Sequence, residues 1–363
     1  MDEFVHAHER WKDIVWMSQN TNTIPTDPSV TEALIEAVKD RVYNLYPYKK
    51  GVFGLPEKIK DELGLQDMRV LMTNGGIEAL YILNRALLSE GDEVIATDPS
   101  FMPIHHQFSL SKAKTVEIGI YKDRYKVTPE EVNEAVTEKT KMILLIDPLN
   151  PLGTDYRREE VKAISEIARD NGLWLVDDIT YRDFSDDHTL TTDFYPEKSL
   201  VIYSFSKNCG LAGMRIGALL APPRVMEDVI KYDTNVLSVN VLAQKAALAS
   251  LQTKDKWLGN VLKICRNNQA KIKSAVDKID GAFLPVYPSF TNMFCIDISQ
   301  VGIDPDKFEE KMLYNHNIFV RSGNYVSKKY GPNFFRVSFS IPEDQCDRFV
   351  EALGPAIESL VSE

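Results

Sequence analysis

No stretch of this chain approaches the roughly eighteen consecutive apolar residues of a membrane-spanning helix. Its opening residues, MDEFVHAHERWKDIVW, intersperse acids and bases and lack the apolar centre of a secretion signal. Cysteine is scarce: Cys209, Cys265, Cys295 and Cys346 lie far apart, without CxxC spacing. With six scattered histidines they form no zinc pattern, so reduced thiols, no bound metal and a cytoplasmic location are expected. Basic residues are the minority, 42 against 53 acidic, and the net charge of -11 argues against nucleic acid or a membrane surface as the main partner. Repeats, low-complexity tracts and Gly/Ser linkers are missing as well. What is present is an ordinary globular composition, 44% apolar and 26% charged over 363 residues, enough for two domains. An enzyme or a small-molecule binder fits these limits.

Short apolar runs alternate with amphipathic stretches. Candidate strands are 93–97, 142–146, 173–176, 200–205 and 216–221, rich in Val, Ile and Leu as strands buried on both faces should be. Helix patterns lie between them at 129–136 and 158–170. Thr128, Pro129 and Glu131 have the spacing of a capping box with proline at the first helical position. This alternation predicts an α/β domain with a mainly parallel sheet. The last third reads differently: a helical stretch over 241–276, strand over 285–298, helix from Pro305, and strands at 318–321 and 334–339. A second, smaller α+β domain is expected there.

The richest segment is YSFSKNCGLAGMRIG, 203–217. It follows a buried strand, which puts Lys207 at that strand's C-terminal end, where open α/β sheets bind ligands. Ser204 and Ser206 flank the approach, and Arg215 follows eight residues on. A lysine near a cation and partly out of water has a lowered pKa and can attack a carbonyl; a surface lysine in a glycine-rich loop is the plain alternative. Four other segments bear on that choice. Thr73–Glu78 (TNGGIE) opens a helical run, and backbone N–H groups at its glycine-rich start suit an anion, or simply make a strand-to-helix turn. Asn150 stands between two prolines in DPLNPLGT, as a directed amide or as turn chemistry. Asp177 and Asp178, at the end of LWLV, could cap a helix, hold a metal or face a charge. Phe101 after VIAT could offer an aromatic face or fill core.

Together these segments resemble the fold-type I pyridoxal-phosphate (PLP) enzymes, the aspartate aminotransferase superfamily. Asn150 and Asp178 are 28 residues apart, Asp178 and Tyr181 three, Lys207 and Arg215 eight, all family-like spacings. From Tyr46, YPYKKG…LPEKIKDELGLQDMRVLMTNGG follows the family register, and FRVS at 335–338 is similar to its R-[IV]-S. The resemblance implies a large PLP-binding α/β domain over 45–280 and a small α+β domain from 1–44 and 281–363. It implies that Lys207 holds PLP covalently and shuttles a proton, and that Asp178 faces the pyridine nitrogen. Asn150 and Tyr181 would bond the phenolic oxygen, and Phe101 would stack on the ring. Gly76, Ile77, Ser204, Ser206 and Arg215 would cradle the phosphate, with Tyr46 reaching it from the neighbouring subunit of a homodimer. Arg336 would clamp the substrate carboxylate, with Asn150 beside it.

Asn20-Thr21-Asn22, GLAGMRIG, Pro288–Asn292 and Ile318–Arg321 look most like histidinol-phosphate aminotransferases, and in that setting Arg321 could bind a substrate anion. Tyr203 stands where an arginine is usual, Ile179 replaces the glutamate after Asp178, and SFSIPEDQ departs from the usual run after the arginine. The resemblance therefore implies transfer of an amino group from an amino acid to a 2-oxo acid, with aromatic, phosphorylated and acidic donors all open. A decarboxylase or lyase of the same fold is the alternative, and a non-catalytic PLP-binding protein a second one.

Overall fold

A seven-stranded sheet fixes the architecture. In the computed structural model, which describes residues 2–122 and 124–362, its strands run in the order Arg69–Thr73, Gly217–Ala221, Ser199–Ser204, Trp174–Asp178, Thr140–Ile146, Glu93–Asp98, Lys114–Gly119. The last five pair in parallel, and Gly217–Ala221 runs antiparallel to both its neighbours. Burial explains the composition of these strands. Thr140–Ile146 exposes only Lys141, and Ser199–Ser204 and Gly217–Ala221 expose nothing, because helices cover both faces.

The helices start where their side chains dictate. Thr128 Oγ1 accepts from the Glu131 N–H and Glu131 returns the bond to the Thr128 N–H, the expected capping box, opening Pro129–Ala135. Arg158–Asp170 begins with Glu160 bonded back to the Arg157 N–H at 2.8 Å. Among the described residues no helix is long and apolar enough to cross a membrane.

The last third departs from expectation in three places. The helical stretch 241–276 is two helices, Val241–Gln252 and Lys254–Val276. Thr253 divides them, its hydroxyl donating to Ala249 O at 2.9 Å and its ψ of 12° ending the first helix. The strand expected over 285–298 forms only at Met293–Asp297. Pro288 has no N–H to give a ladder, and Gln269 Oε1 captures the Ser289 N–H instead. The expected strand 318–321 splits. Ile318–Phe319 pairs in parallel with Val15–Trp16, whereas Arg321–Ser322 joins Phe334–Ser338 and Met293–Asp297 in a three-stranded antiparallel sheet.

Candidate functional site

Three adjacent parallel strands end side by side. Ile146 is paired with Asp178, and Asp178 with Ile202, so the loops that follow them carry Asn150, Asp178 with Tyr181, and Lys207 to one rim of the sheet. A cavity of about 250 Å³ opens over that rim. Lys207, Asp178, Tyr181, Asn150, Phe101 and the serines Ser204 and Ser206 line it. Gly76, Ile77, Arg215, Arg321 and Arg336 complete the set of expected residues found there. Tyr46 is the exception: it is 82% exposed and lies outside the cavity of its own chain.

One end of the cavity is a cradle of donors. The helix Gly76–Leu87 points its first turn into it with no side chain capping the N-terminus. Gly75, at φ +77°, turns the chain into that helix, and a Cβ there would stand 2.6 Å from an Arg215 guanidinium nitrogen. Gly217 lets the next strand approach equally closely, since its Cβ would meet the Gly76 nitrogen at 2.8 Å. Arg215 itself sits at φ 51°, held by a bond of 2.9 Å from Nη1 to Ala212 O. Helix N–H groups, two serine hydroxyls and a guanidinium make a site for a phosphate-sized anion.

The middle of the cavity carries the reactive groups. Burial, with the Arg336 and Arg215 charges, pushes the Lys207 ammonium down to about 7. Its Nζ donates to the main-chain oxygen of Gln19 at 3.0 Å. Burial pushes the Asp178 carboxyl above its ordinary range, opposed by bonds of 2.5 and 3.1 Å from the Thr180 hydroxyl and N–H and by Lys207. Its neighbour Asp177 serves another purpose. It turns away to accept both the hydroxyl and N–H of Thr191 at 2.9 Å, and burial raises it to about 7. The Tyr181 hydroxyl accepts from Asn20 Nδ2 at 3.0 Å, and burial holds its proton firmly.

At the other end Arg336 donates to Asn150 Oδ1 at 3.0 Å and to Ser18 O at 2.7 Å, while its buried Nε has no partner among the described residues. Such an unpaired donor on a buried cation invites an anion. Arg321 lies directly opposite Arg336 across the strand pair.

Several residues here escaped the reading of the sequence. Ser18 and Gln19 contribute carbonyl oxygens, which every residue type has, and so left no signal. Asn20 lay inside a motif noted only for its likeness. Tyr203, the departure from the usual arginine, donates to Glu62 at 3.0 Å, in a buried cluster where Glu62 also pairs with Arg182 and Lys254.

The family described as aminotransferase class I and II matches residues 12–353. The aspartate aminotransferase of Pyrococcus horikoshii is 25% identical over 377 residues, covering 98% of this chain and 94% of that protein. Histidinol-phosphate aminotransferase 2 of Carboxydothermus hydrogenoformans is 29% identical over 349 residues, 95% of this chain and 91% of its own. In fold, this chain is similar to an aminotransferase from Mycobacterium tuberculosis, with TM-score 0.87 at 20% identity over 99% of this chain and 96% of the other. The Thermus thermophilus aspartate aminotransferase with maleate gives TM-score 0.83 at 21% identity over 97% and 94%.

Proposed function

Because the chain belongs to the class I and II aminotransferases, PLP-dependent enzymes acting on amino acids and 2-oxo acids, we propose that this cavity is its active site, with Lys207 as covalent anchor and base. The residues present fit PLP. The donor cradle of Gly76, Ile77, Ser204, Ser206 and Arg215 suits its phosphate, and Asp178, a buried carboxylate, calls for a cationic N–H. Phe101 and Ile146 give apolar walls for a flat ring. PLP supplies an electrophilic carbonyl and a sink for the electron pair left at the substrate Cα.

The chain's own groups do the rest. Asp178, oriented by the Thr180 hydroxyl and N–H, would keep the pyridine nitrogen protonated. Asn150 and Tyr181 would supply hydrogen bonds to the phenolic oxygen. Arg336, fixed by Asn150 and Ser18, grips the substrate carboxylate as a planar fork. Lys207, with an amine that titrates near neutrality, is suited both to take the Cα proton and to give it up. The observation that carries this reading is the convergence of Lys207, Asp178 and Arg336 on one cavity beside the phosphate cradle. Amino donors offered one at a time to the PLP-loaded protein should convert the cofactor to its amine form, read by absorbance, with release of the 2-oxo acid. Release of carbon dioxide with the cofactor unchanged would speak for the decarboxylase instead.

The domain limits 45–280, and 1–44 with 281–363, are part of the same proposal, as is a cytoplasmic location, supported by four unpaired cysteines. So is a homodimer. Tyr46 lies in an exposed apolar stretch with Tyr43, Leu45, Tyr48 and Phe53, which solvent alone would not favour. In a dimer Tyr46 would complete the phosphate cradle of the partner, so Tyr46 and Lys207 at any one site would belong to different chains. The inactive variants Tyr46→Ala and Lys207→Ala, mixed, unfolded and refolded together, should then recover roughly one quarter of wild-type activity. Recovery no greater than the sum of the two variants would remove the shared site and leave the lysine chemistry standing.

A further inference from the structure

Four cations line the cavity: Lys207, Arg215, Arg321 and Arg336. With Lys207 and Arg215 at the cofactor end and Arg336 on the carboxylate, only Arg321 is left to meet a substrate side chain. It is already engaged. Arg321 Nη1 donates to Glu309 Oε1 at 3.0 Å, and the two side chains are only 8% and 4% exposed. Glu309 Oε2 accepts the Ser322 N–H, which fixes the carboxylate in place. Aromatic rings cover the guanidinium, with Phe4 at 4.8 Å, Tyr325 at 4.7 Å and Phe319 at 5.2 Å.

An anionic side chain arriving here would be drawn by Arg321, but Glu309, 3.0 Å from the guanidinium, offsets much of that field. It would also pay its own desolvation, and displacing Glu309 would strand that carboxylate in a buried place. Burial, with Glu3 beside it, raises the Glu309 carboxyl to about 7 against the pull of Arg321, so the pair is fully charged only above that. A neutral side chain meets none of these costs. The cavity that Arg321 faces is walled by Phe4 and Tyr325, which lie on the guanidinium, and is lined elsewhere by the apolar Leu80, Met102 and Val326. Phe4 is held there by the first helix, whose Ala7 packs with Ile14, Leu313 and Phe319.

We infer that Glu309 determines specificity: by neutralising Arg321 it makes the side-chain compartment uncharged and aromatic-walled, suited to donors with large neutral side chains, aromatic ones first, over acidic or phosphorylated ones. The inference rests on the transaminase reading with Arg336 on the carboxylate. A purely structural role, in which Glu309 only offsets the repulsion between Arg321 and Arg336, is the rival account.

The test uses the PLP-loaded enzyme. Half-reactions with phenylalanine, tyrosine, leucine, aspartate, glutamate and O-phosphoserine give kcat/KM for each donor, and calorimetry compares binding of 3-phenylpropionate with succinate. The wild type should favour phenylalanine over aspartate by about tenfold or more and bind 3-phenylpropionate more tightly than succinate. In Glu309→Gln the aspartate-to-phenylalanine ratio should rise by about tenfold. Equal or better use of an acidic or phosphorylated donor by the wild type overturns the inference, as does an unmoved ratio in a folded Glu309→Gln. Should that variant fail to fold, the wild-type donor series and the two analogues still decide. If no donor of any class alters the cofactor absorbance, the transaminase reading falls, and the analogue binding still judges the compartment.

Discussion

The cavity has two walls of different construction. One is the sheet rim, where Asn150, Asp178, Tyr181 and Lys207 each stand within four residues of a strand end. The other is assembled from distant pieces: Phe4 on the first helix, Ser18 to Asn20 in a bend that ends with Asn20 at φ 53°, and Arg321, Tyr325 and Arg336 on or beside the small sheet. The rim offers side chains of specific chemistry in fixed register. The opposite wall holds those side chains in place: Gln19 O accepts from Lys207, Asn20 Nδ2 donates to Tyr181, and Arg336, itself fixed by Ser18 O, donates to Asn150 Oδ1. Reactivity is therefore local in sequence, and its alignment is not. Changes at the rim should abolish chemistry, and changes at the opposite wall should tune binding and geometry.

The sharpest separation should come from Lys207→Ala. Turnover should drop by several orders of magnitude, because anchor and base vanish together, while PLP still binds without its covalent absorbance. Near-normal transamination would erase the distinction between the walls. The wild-type amine offers a milder probe. In the cofactor-free protein Lys207 should be neutral, and reactive toward an acylating reagent, above about pH 7. Labelling that rises only near pH 10, as for an exposed lysine, would deny the burial and the arginine fields invoked for it.

Arg336→Ala comes next. Removing a clamp from a closed site should cost on the order of a hundredfold in kcat/KM, with PLP affinity little changed. An unaltered kcat/KM would move the carboxylate site to another cation. Smallest should be Asn20→Ala, which deletes the bond to Tyr181 and loosens the segment that Asn292 holds through Asn20 O at 2.9 Å. Loss of one such bond is worth about 1 kcal/mol, or roughly fivefold in kcat/KM. A loss as large as that of Lys207→Ala would put Asn20 among the reactive groups.

The same division decides what could be read from the sequence. Lys207, Asp178, Asn150 and the Gly76 turn stand in contiguous motifs after strands whose Val, Ile and Leu content announces burial. The Thr128 capping box was legible for the same reason, since its three residues are neighbours. Tertiary competition hid the rest. Thr253 looks like any helical threonine until its hydroxyl takes Ala249 O, and Ile318–Ser322 looks like one strand although its two halves pair with different sheets. Glu309 shows only helical spacing, with nothing to indicate that a guanidinium twelve residues on will seek it.

The bond from Arg336 to Ser18 spans 318 positions, and that from Asn292 to Asn20 spans 272. A ribosome delivers the first partner of each pair long before the second. The oxygens of Ser18 and Asn20 must wait for these two donors through synthesis of the whole seven-stranded sheet, and closing so wide a loop is entropically the most expensive contact in the site. The substrate end therefore matures last. A chain interrupted before position 336 carries every residue of the phosphate cradle and the lysine loop, yet it has no carboxylate clamp, so an unfinished copy lacks the grip on substrate that a complete one has.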